Sequence, residues 1–166
     1  GFKSYDHQTY GTLSANFGGT YYNWNSMTTY VNTPNEAVAK LMYHCGVAVE
    51  MGYGPQESGS YVIEGYTPSI EQTCENAYKT YFGYDPDSMQ GIIRSYTNGT
   101  GDFIVNYSDS EWINLMKDEL NSSRPIQYAG FGGGGGHTWV CDGYDNNDFF
   151  HMNWGWGGQS DGYFTL

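Results

Sequence analysis

The stretch from Gly132 to Gly158 leaves this chain little choice of local fold. Five glycines, Gly132 to Gly136, run into His137 and the segment His137 to Gly143. Asp145-Asn146-Asn147-Asp148 has turn chemistry, Phe149 to Trp154 follows as a second extended segment, and Gly155, Trp156, Gly157 and Gly158 lie beyond it. Two strands joined by a short polar turn form an antiparallel hairpin. Such a hairpin brings His137, at the start of one strand, to Asn153 through Trp156, at the end of the next, with the register open by a residue or two. An imidazole that moves protons needs one ring nitrogen held by a partner, so that the other presents a defined tautomer. The Asn153 side chain or a neighbouring backbone carbonyl is placed to do this, and an indole over the pair would exclude water. Gly136 and the glycines before it let an extended peptide backbone come close.

This arrangement has no nucleophile. His44 and Cys45 are adjacent on a helical segment and point about 100° apart, so they cannot share a hydrogen bond. Cys141 shares a strand face with His137 but sits four residues along it, about 13 Å away at roughly 3.3 Å per residue. Cys74 falls on the inward face of a helix, and all three cysteines are expected as small buried hydrophobes. None has metal-ligand spacing, and an imidazole that moves protons needs neither a metal nor an organic cofactor. The glycine run is not a phosphate loop, because it lacks the closing Lys-Ser/Thr and leads into a strand rather than a helix. His151, in mid-strand, reads as filler, and His7 carries no signal. Seventeen tyrosines keep one alternative in view: a noncatalytic, aromatic-rich module that binds glycan or protein.

The 166 residues fit a single domain without an internal boundary, and the apolar and aromatic fractions of 39% and 18% suffice for a core. Six Lys and Arg against 18 Asp and Glu give a formal charge of −12. Polyanions are repelled, which excludes nucleic acid and anionic membrane surfaces as partners. No run approaches the roughly 20 apolar residues of a membrane span. An acidic surface rich in Tyr, Asn and Gly suits a secreted or cell-surface bacterial protein.

Along the chain, residues 1 to 32 read as loop and irregular structure. Thr33-Pro34-Asn35-Glu36 offers a capping box with Thr33 as the cap, opening a helix that Gly46 is placed to stop. Residues 52 to 60 read as a flexible polar loop. A second helix is expected from Pro68 or Ser69 to Phe82, with Ile70, Cys74, Ala77 and Tyr81 inward. A long connection with one or two short strands follows. Ser108 and Glu111 form a capping box for a third helix, which buries Trp112, Leu115, Met116 and Leu120. Beyond Pro125 the segments Ile126 to Phe131, His137 to Gly143, Phe149 to Trp154 and Gly162 to Leu166 read as an antiparallel meander. Helices first and sheet last predict an α+β fold.

The chain resembles the streptopain family of bacterial cysteine peptidases, in the papain clan. The resemblance rests on Tyr22-Asn23-Trp24-Asn25-Ser26-Met27, Cys45-Gly46-Val47-Ala48-Val49, Met51-Gly52-Tyr53-Gly54-Pro55, Gly136-His137, Asp142-Gly143, His151-Met152-Asn153-Trp154-Gly155-Trp156-Gly157-Gly158 and Ser160-Asp161-Gly162. It implies part of a papain-like fold, endopeptidase activity through a Cys-His pair, and a peptide or protein substrate. His137 takes the catalytic histidine position, and Asn153 or the backbone at Trp154 orients its ring. Trp156 and the loop at Ser58 and Gly59 match cleft-wall positions that bind substrate. The family's nucleophilic cysteine belongs to a segment upstream of Gly1, so the chain is expected to be the central to C-terminal part of the catalytic domain. Alone it is expected to be inactive, with a separate or missing N-terminal segment as its partner. A pro-segment is a further partner that the resemblance raises.

Overall fold

The computed structural model describes residues 1–64, 71–97, 100–101 and 103–166. The chain divides into two compact units, Gly1–Ile92 and Ile93–Leu166.

The first unit opens with an antiparallel hairpin, β1 (Phe2–His7) and β2 (Gly11–Asn16), in which Tyr5 faces Leu13 and Lys3 faces Ala15. The sequence reading of residues 1 to 32 as irregular is therefore corrected for Phe2 to Asn16, while Phe17 to Asn32 hold only a short 3-10 turn at Trp24–Ser26. The inward positions of β1 are Lys3, Tyr5 and His7, so the strand alternates in burial without alternating in hydrophobicity. Polar atoms on these side chains find partners inside the unit. Tyr5 donates to the Met51 carbonyl at 2.8 Å, and Lys3 pairs with Glu50. His7 Nδ1 lies 3.1 Å from the Thr9 amide, and its Nε2 lies 3.1 Å from the Tyr53 carbonyl, which ties the hairpin turn to the next strand.

Helix α1 (Glu36–Ala48) starts later and ends later than expected. Asn35 rather than Thr33 caps it, because the Asn35 Oδ1 accepts from the amides of Ala37 and Val38 at 3.0 and 3.1 Å. Gly46 lies within the helix. The actual stop is a Schellman arrangement in which the Met51 amide donates to the Gly46 carbonyl and the Glu50 amide to the Val47 carbonyl, with Glu50 in the left-handed region at φ 51°. Glycine is required at position 46 for a different reason. A Cβ there would lie 1.8 Å from the Tyr53 hydroxyl oxygen.

The expected polar loop at 52 to 60 contains a short antiparallel pairing of β3 (Gly52–Tyr53) with β4 (Ser58–Gly59). Helix α2 (Cys74–Tyr81) is capped by the Thr73 hydroxyl, which accepts from the Asn76 amide at 3.1 Å. Residues 71–73 are not helical, which corrects the expected start, and the expected positions Pro68, Ser69 and Ile70 lie outside the described residues. The core joins Ala15 and Phe17 from the hairpin side to Val47, Ala48 and Val49 of α1 and its cap, and to Ala77 of α2. Phe17 stacks on Tyr81 with centroids 4.4 Å apart.

In the second unit, β5 (Ser95–Thr97) pairs with β6 (Phe103–Asn106) ahead of α3 (Asp109–Asn121). The capping box is present as expected. The Ser108 hydroxyl accepts from the Glu111 amide, and the Glu111 carboxylate accepts from the Ser108 amide at 2.8 Å. A four-stranded antiparallel meander follows, with strands β7 (Ile126–Gly132), β8 (Gly135–Tyr144), β9 (Phe150–Asn153) and β10 (Gly162–Phe164) in the order β10-β9-β8-β7. The glycine tract forms the tip between β7 and β8. A β-bulge between Cys141 and Gly143 interrupts the β8–β9 register. Trp112 and Met116 of α3 are buried together with Cys141, Phe150 and Met152 of the sheet. Lys117 of α3 pairs with Asp148 in the β8–β9 turn and lies over the Tyr144 ring.

Gly46→Ala improves helix propensity by up to about 1 kcal/mol, but it places a methyl group against a packed tyrosine, which costs about 1–3 kcal/mol. The expected net result in thermal unfolding is a lowered midpoint. Tyr53→Phe in the same chain should recover part of the loss, because it removes the hydroxyl that a Cβ would meet. Additive effects in this double-mutant cycle would disprove the account.

Candidate active site

His137 is the third residue of β8 and stands opposite Gly130 of β7. Its ring is exposed at one edge and layered among indoles. Trp156 lies 5.0 Å away at 29°, Trp139 5.9 Å away at 20°, and Trp154 6.2 Å away at 21°. Strand alternation explains Trp139, two residues along the same face. Trp154 and Trp156 come from the loop after β9. The layering continues inward, because Trp139 packs on Tyr128 at 5.3 Å and the Tyr128 hydroxyl accepts from the Trp112 indole at 2.9 Å. An aromatic column thus runs from α3 across one face of the sheet to the imidazole.

Among the described residues the ring has one defined polar contact. His137 Nε2 lies 2.9 Å from the Trp154 carbonyl oxygen. A carbonyl only accepts, so Nε2 carries the proton and the neutral ring presents the lone pair of Nδ1. The Asn153 side chain is occupied elsewhere. Asn153 pairs with Val140, whose side chain leaves the opposite face of β8 from that of His137, and the Asn153 Oδ1 accepts from the Gly155 amide at 3.0 Å. Of the two groups the sequence placed beside the ring, the backbone at Trp154 makes the hydrogen bond. The Trp154 amide in turn donates to the Asp161 carboxylate at 2.9 Å. Asp161 lies in the Ser160-Asp161-Gly162 stretch, whose residue types give no sign of this contact.

Gly136 precedes His137, and the place its Cβ would occupy lies 2.7 Å from the ring of Phe131. Phe131 is itself 94% exposed. The second unit therefore gathers Gly136, His137, Asn153, Trp154 and Trp156. Ser58 and Gly59 belong to the first unit, where they form β4 and are exposed.

The other sulfurs and imidazoles are built into structure. Cys141 is fully buried, and burial pushes its thiol up to about 11. Burial also raises Cys45. Cys74 packs against the core of the first unit. His44 is 8% exposed, shares a 2.8 Å hydrogen bond with the Tyr22 hydroxyl through Nδ1, and packs edge-on to Phe17. Burial, followed by the charge of Lys40, lowers its pKa. His151 pairs with Asp142 at 2.6 Å and meets the Tyr163 ring. Among the described residues no three His, Cys, Asp or Glu side chains are gathered to hold a metal ion, and no helix is long and apolar enough to cross a membrane.

Two measurements check this division. At pH 8, a neutral alkylating reagent should label Cys141 in the folded protein at least about 100-fold more slowly than in denaturant, and equal rates would refute its burial. A lowered His44 pKa means that the unfolded chain binds the extra proton first. Stability should therefore fall as pH drops below about 6.5, and His44→Gln should flatten that limb of the stability profile.

Comparison with known proteins gives concordant matches. The model of the Peptidase C10 family matches residues 1–164. Streptopain of Streptococcus pyogenes is 37% identical over 150 residues, covering 87% of this chain and 33% of that protein. The thiol protease/hemagglutinin of Porphyromonas gingivalis is 34% identical over 163 residues, covering 95% of this chain and 16% of that protein. The solved structure of active wild-type Prevotella intermedia interpain A cysteine protease superimposes with a TM-score of 0.73 at 33% identity, over 100% of this chain and 65% of that one. The chain spans about a third of the length of the streptopains it matches.

Proposed function

The chain belongs to the Peptidase C10 family, that of streptopain, and has a papain-like α+β fold; from that membership we propose that the protein is a cysteine endopeptidase to which this chain supplies the catalytic histidine, His137. The observation that carries the proposal is the 2.9 Å hydrogen bond from Nε2 to the Trp154 carbonyl, because it leaves Nδ1 as the basic atom on an exposed ring. A thiol presented to Nδ1 gives up its proton and becomes a thiolate beside an imidazolium. The thiolate attacks the scissile carbonyl, and the imidazolium returns the proton to the leaving amine. Water, deprotonated by the regenerated imidazole, then hydrolyses the acyl-enzyme. The indoles of Trp139, Trp154 and Trp156 lie nearly parallel to the ring, restrict its rotation and limit water around its bonded edge.

The nucleophile in this proposal comes from polypeptide outside residues 1–166, since Cys45 and Cys141 are held as thiols and Cys74 packs into a core. The chain alone is then inactive. The two units belong to one catalytic domain, consistent with a family match that runs through both. Asn153 supports the Trp154 backbone, while Gly136, Trp156, Ser58 and Gly59 contribute to peptide binding. The enzyme acts at the bacterial surface or after secretion, and a pro-segment accompanies it, as in the solved prointerpain A fragment.

One observation favours a second reading. Trp156 is 54% exposed and stacks on the imidazole, which suits a noncatalytic module that stacks on glycan or protein. The same substitution separates the two readings. In the full-length protein, His137→Ala should lower peptide hydrolysis by at least about 100-fold, with the melting profile unchanged because the ring is exposed. Undiminished turnover would reject the assignment, and ligand binding without any thiol-dependent hydrolysis in the parent protein would favour the binding module.

A further inference from the structure

We propose that Asp161 is a positioning residue for His137, acting through the backbone of Trp154; this rests on the reading of His137 as the proton-transfer group. Trp154 lies one residue beyond β9, where the sheet no longer holds it. Its two backbone polar groups are nevertheless both engaged. The amide donates to Asp161 Oδ1 at 2.9 Å, and the carbonyl accepts from His137 Nε2 at 2.9 Å. The next amide, that of Gly155, donates to Asn153 Oδ1 at 3.0 Å. The peptide plane whose oxygen meets the imidazole is thus held on its other side as well, and an amide that donates through N–H is a stronger acceptor through its carbonyl.

The loop between Trp154 and Asp161 is shaped to make the first of these contacts. Gly155, Gly157 and Gly158 have φ values of 78°, 65° and 89°, and Ser160, which is not glycine, is also left-handed at 65°. The Gln159 amide closes a turn on the Trp156 carbonyl at 3.3 Å. These reversals return the chain so that a carboxylate at the start of β10 meets the amide seven residues earlier. Hydrogen bonds to an ionised acceptor are about twice as strong as neutral ones. This single carboxylate is therefore the anchor of the residue that carries the acceptor for His137. Without it the Trp154 carbonyl keeps only the hold of Asn153 through the Gly155 amide, and misplacement by about 1 Å costs up to about 100-fold in rate.

The test uses the full-length protein and reads both the ring and the reaction. Nitrogen-15 NMR of His137 reports which ring nitrogen carries the proton in the neutral form. In the parent protein the Nε2–H form should dominate. Asp161→Ala should shift neutral His137 toward a mixture of tautomers and lower kcat about 10- to 100-fold, with KM within about twofold. Asp161→Asn, which keeps an acceptor oxygen, should preserve the tautomer and most of kcat. The proposal is overturned if Asp161→Ala leaves the tautomer and kcat unchanged. It is equally overturned if that variant fails to fold, or if kcat and KM deteriorate together while the tautomer stays as in the parent. The NMR arm needs no turnover. A tautomer shift in a protein that hydrolyses no peptide would uphold the clamp and reject only the peptidase function.

Discussion

The hydrogen bond from His137 Nε2–H to the Trp154 carbonyl is the contact on which the chemistry of the second unit depends. It joins the beginning of β8 to the residue just past the end of β9, so it exists only if the two strands are in the observed register, with Val140 opposite Asn153. That register depends in turn on what lies beneath it. Cys141, Phe150 and Met152 are buried with Trp112 and Met116 of α3, and a shift by one residue would turn each of the sheet residues to solvent. The cost of such a shift is the transfer of several large side chains to water, at about 1.5–3 kcal/mol each. A bond between one ring and one backbone oxygen thus inherits its precision from a hydrophobic core several residues away.

The parts legible in the sequence were those where hydrophobic pattern and structure coincide. The β7–β10 meander, the Ser108–Glu111 capping box and the buried face of α3 all carry their period openly. The β1–β2 hairpin did not, because Lys3, Tyr5 and His7 occupy its inward positions and satisfy their polar atoms there. The α1 boundaries depart from the sequence pattern for a related reason. Glycine is the usual signal for a helix stop, yet Gly46 serves close packing with Tyr53, while Glu50 takes up the left-handed conformation that ends the helix.

At the candidate site, the pairing of His137 with the Asn153–Trp154 region was readable from the turn at Asp145 to Asp148. The division of labour inside that region was not. A backbone carbonyl leaves no mark on sequence, whereas the Asn153 side chain is conspicuous, and only its register opposite Val140 shows that it begins on the other face. Asp161 had no signal of its own either, since its partner is a main-chain amide reached through a loop whose reversals depend on one non-glycine residue, Ser160, as well as on three glycines.

The bulge at Cys141–Gly143 bears on how this fold tolerates change in chain length. Side chains of a strand alternate between faces, so a single residue added to or removed from β8 on the far side of His137 inverts everything up to the next fixed point. Asp142 is the unpaired extra residue, so its loss would straighten β8 with Cys141 still opposite Met152 and the imidazole on its present face, whereas loss of one residue between His137 and Cys141 would send the imidazole to the other side of the sheet. The glycine tip at Gly133 and Gly134, by contrast, lies outside the paired segments that set this phase and can lengthen without disturbing it. Descendants of this sequence can therefore vary in size at the ribbon's end, whereas between His137 and Cys141 a one-codon deletion turns the ring away from its acceptor.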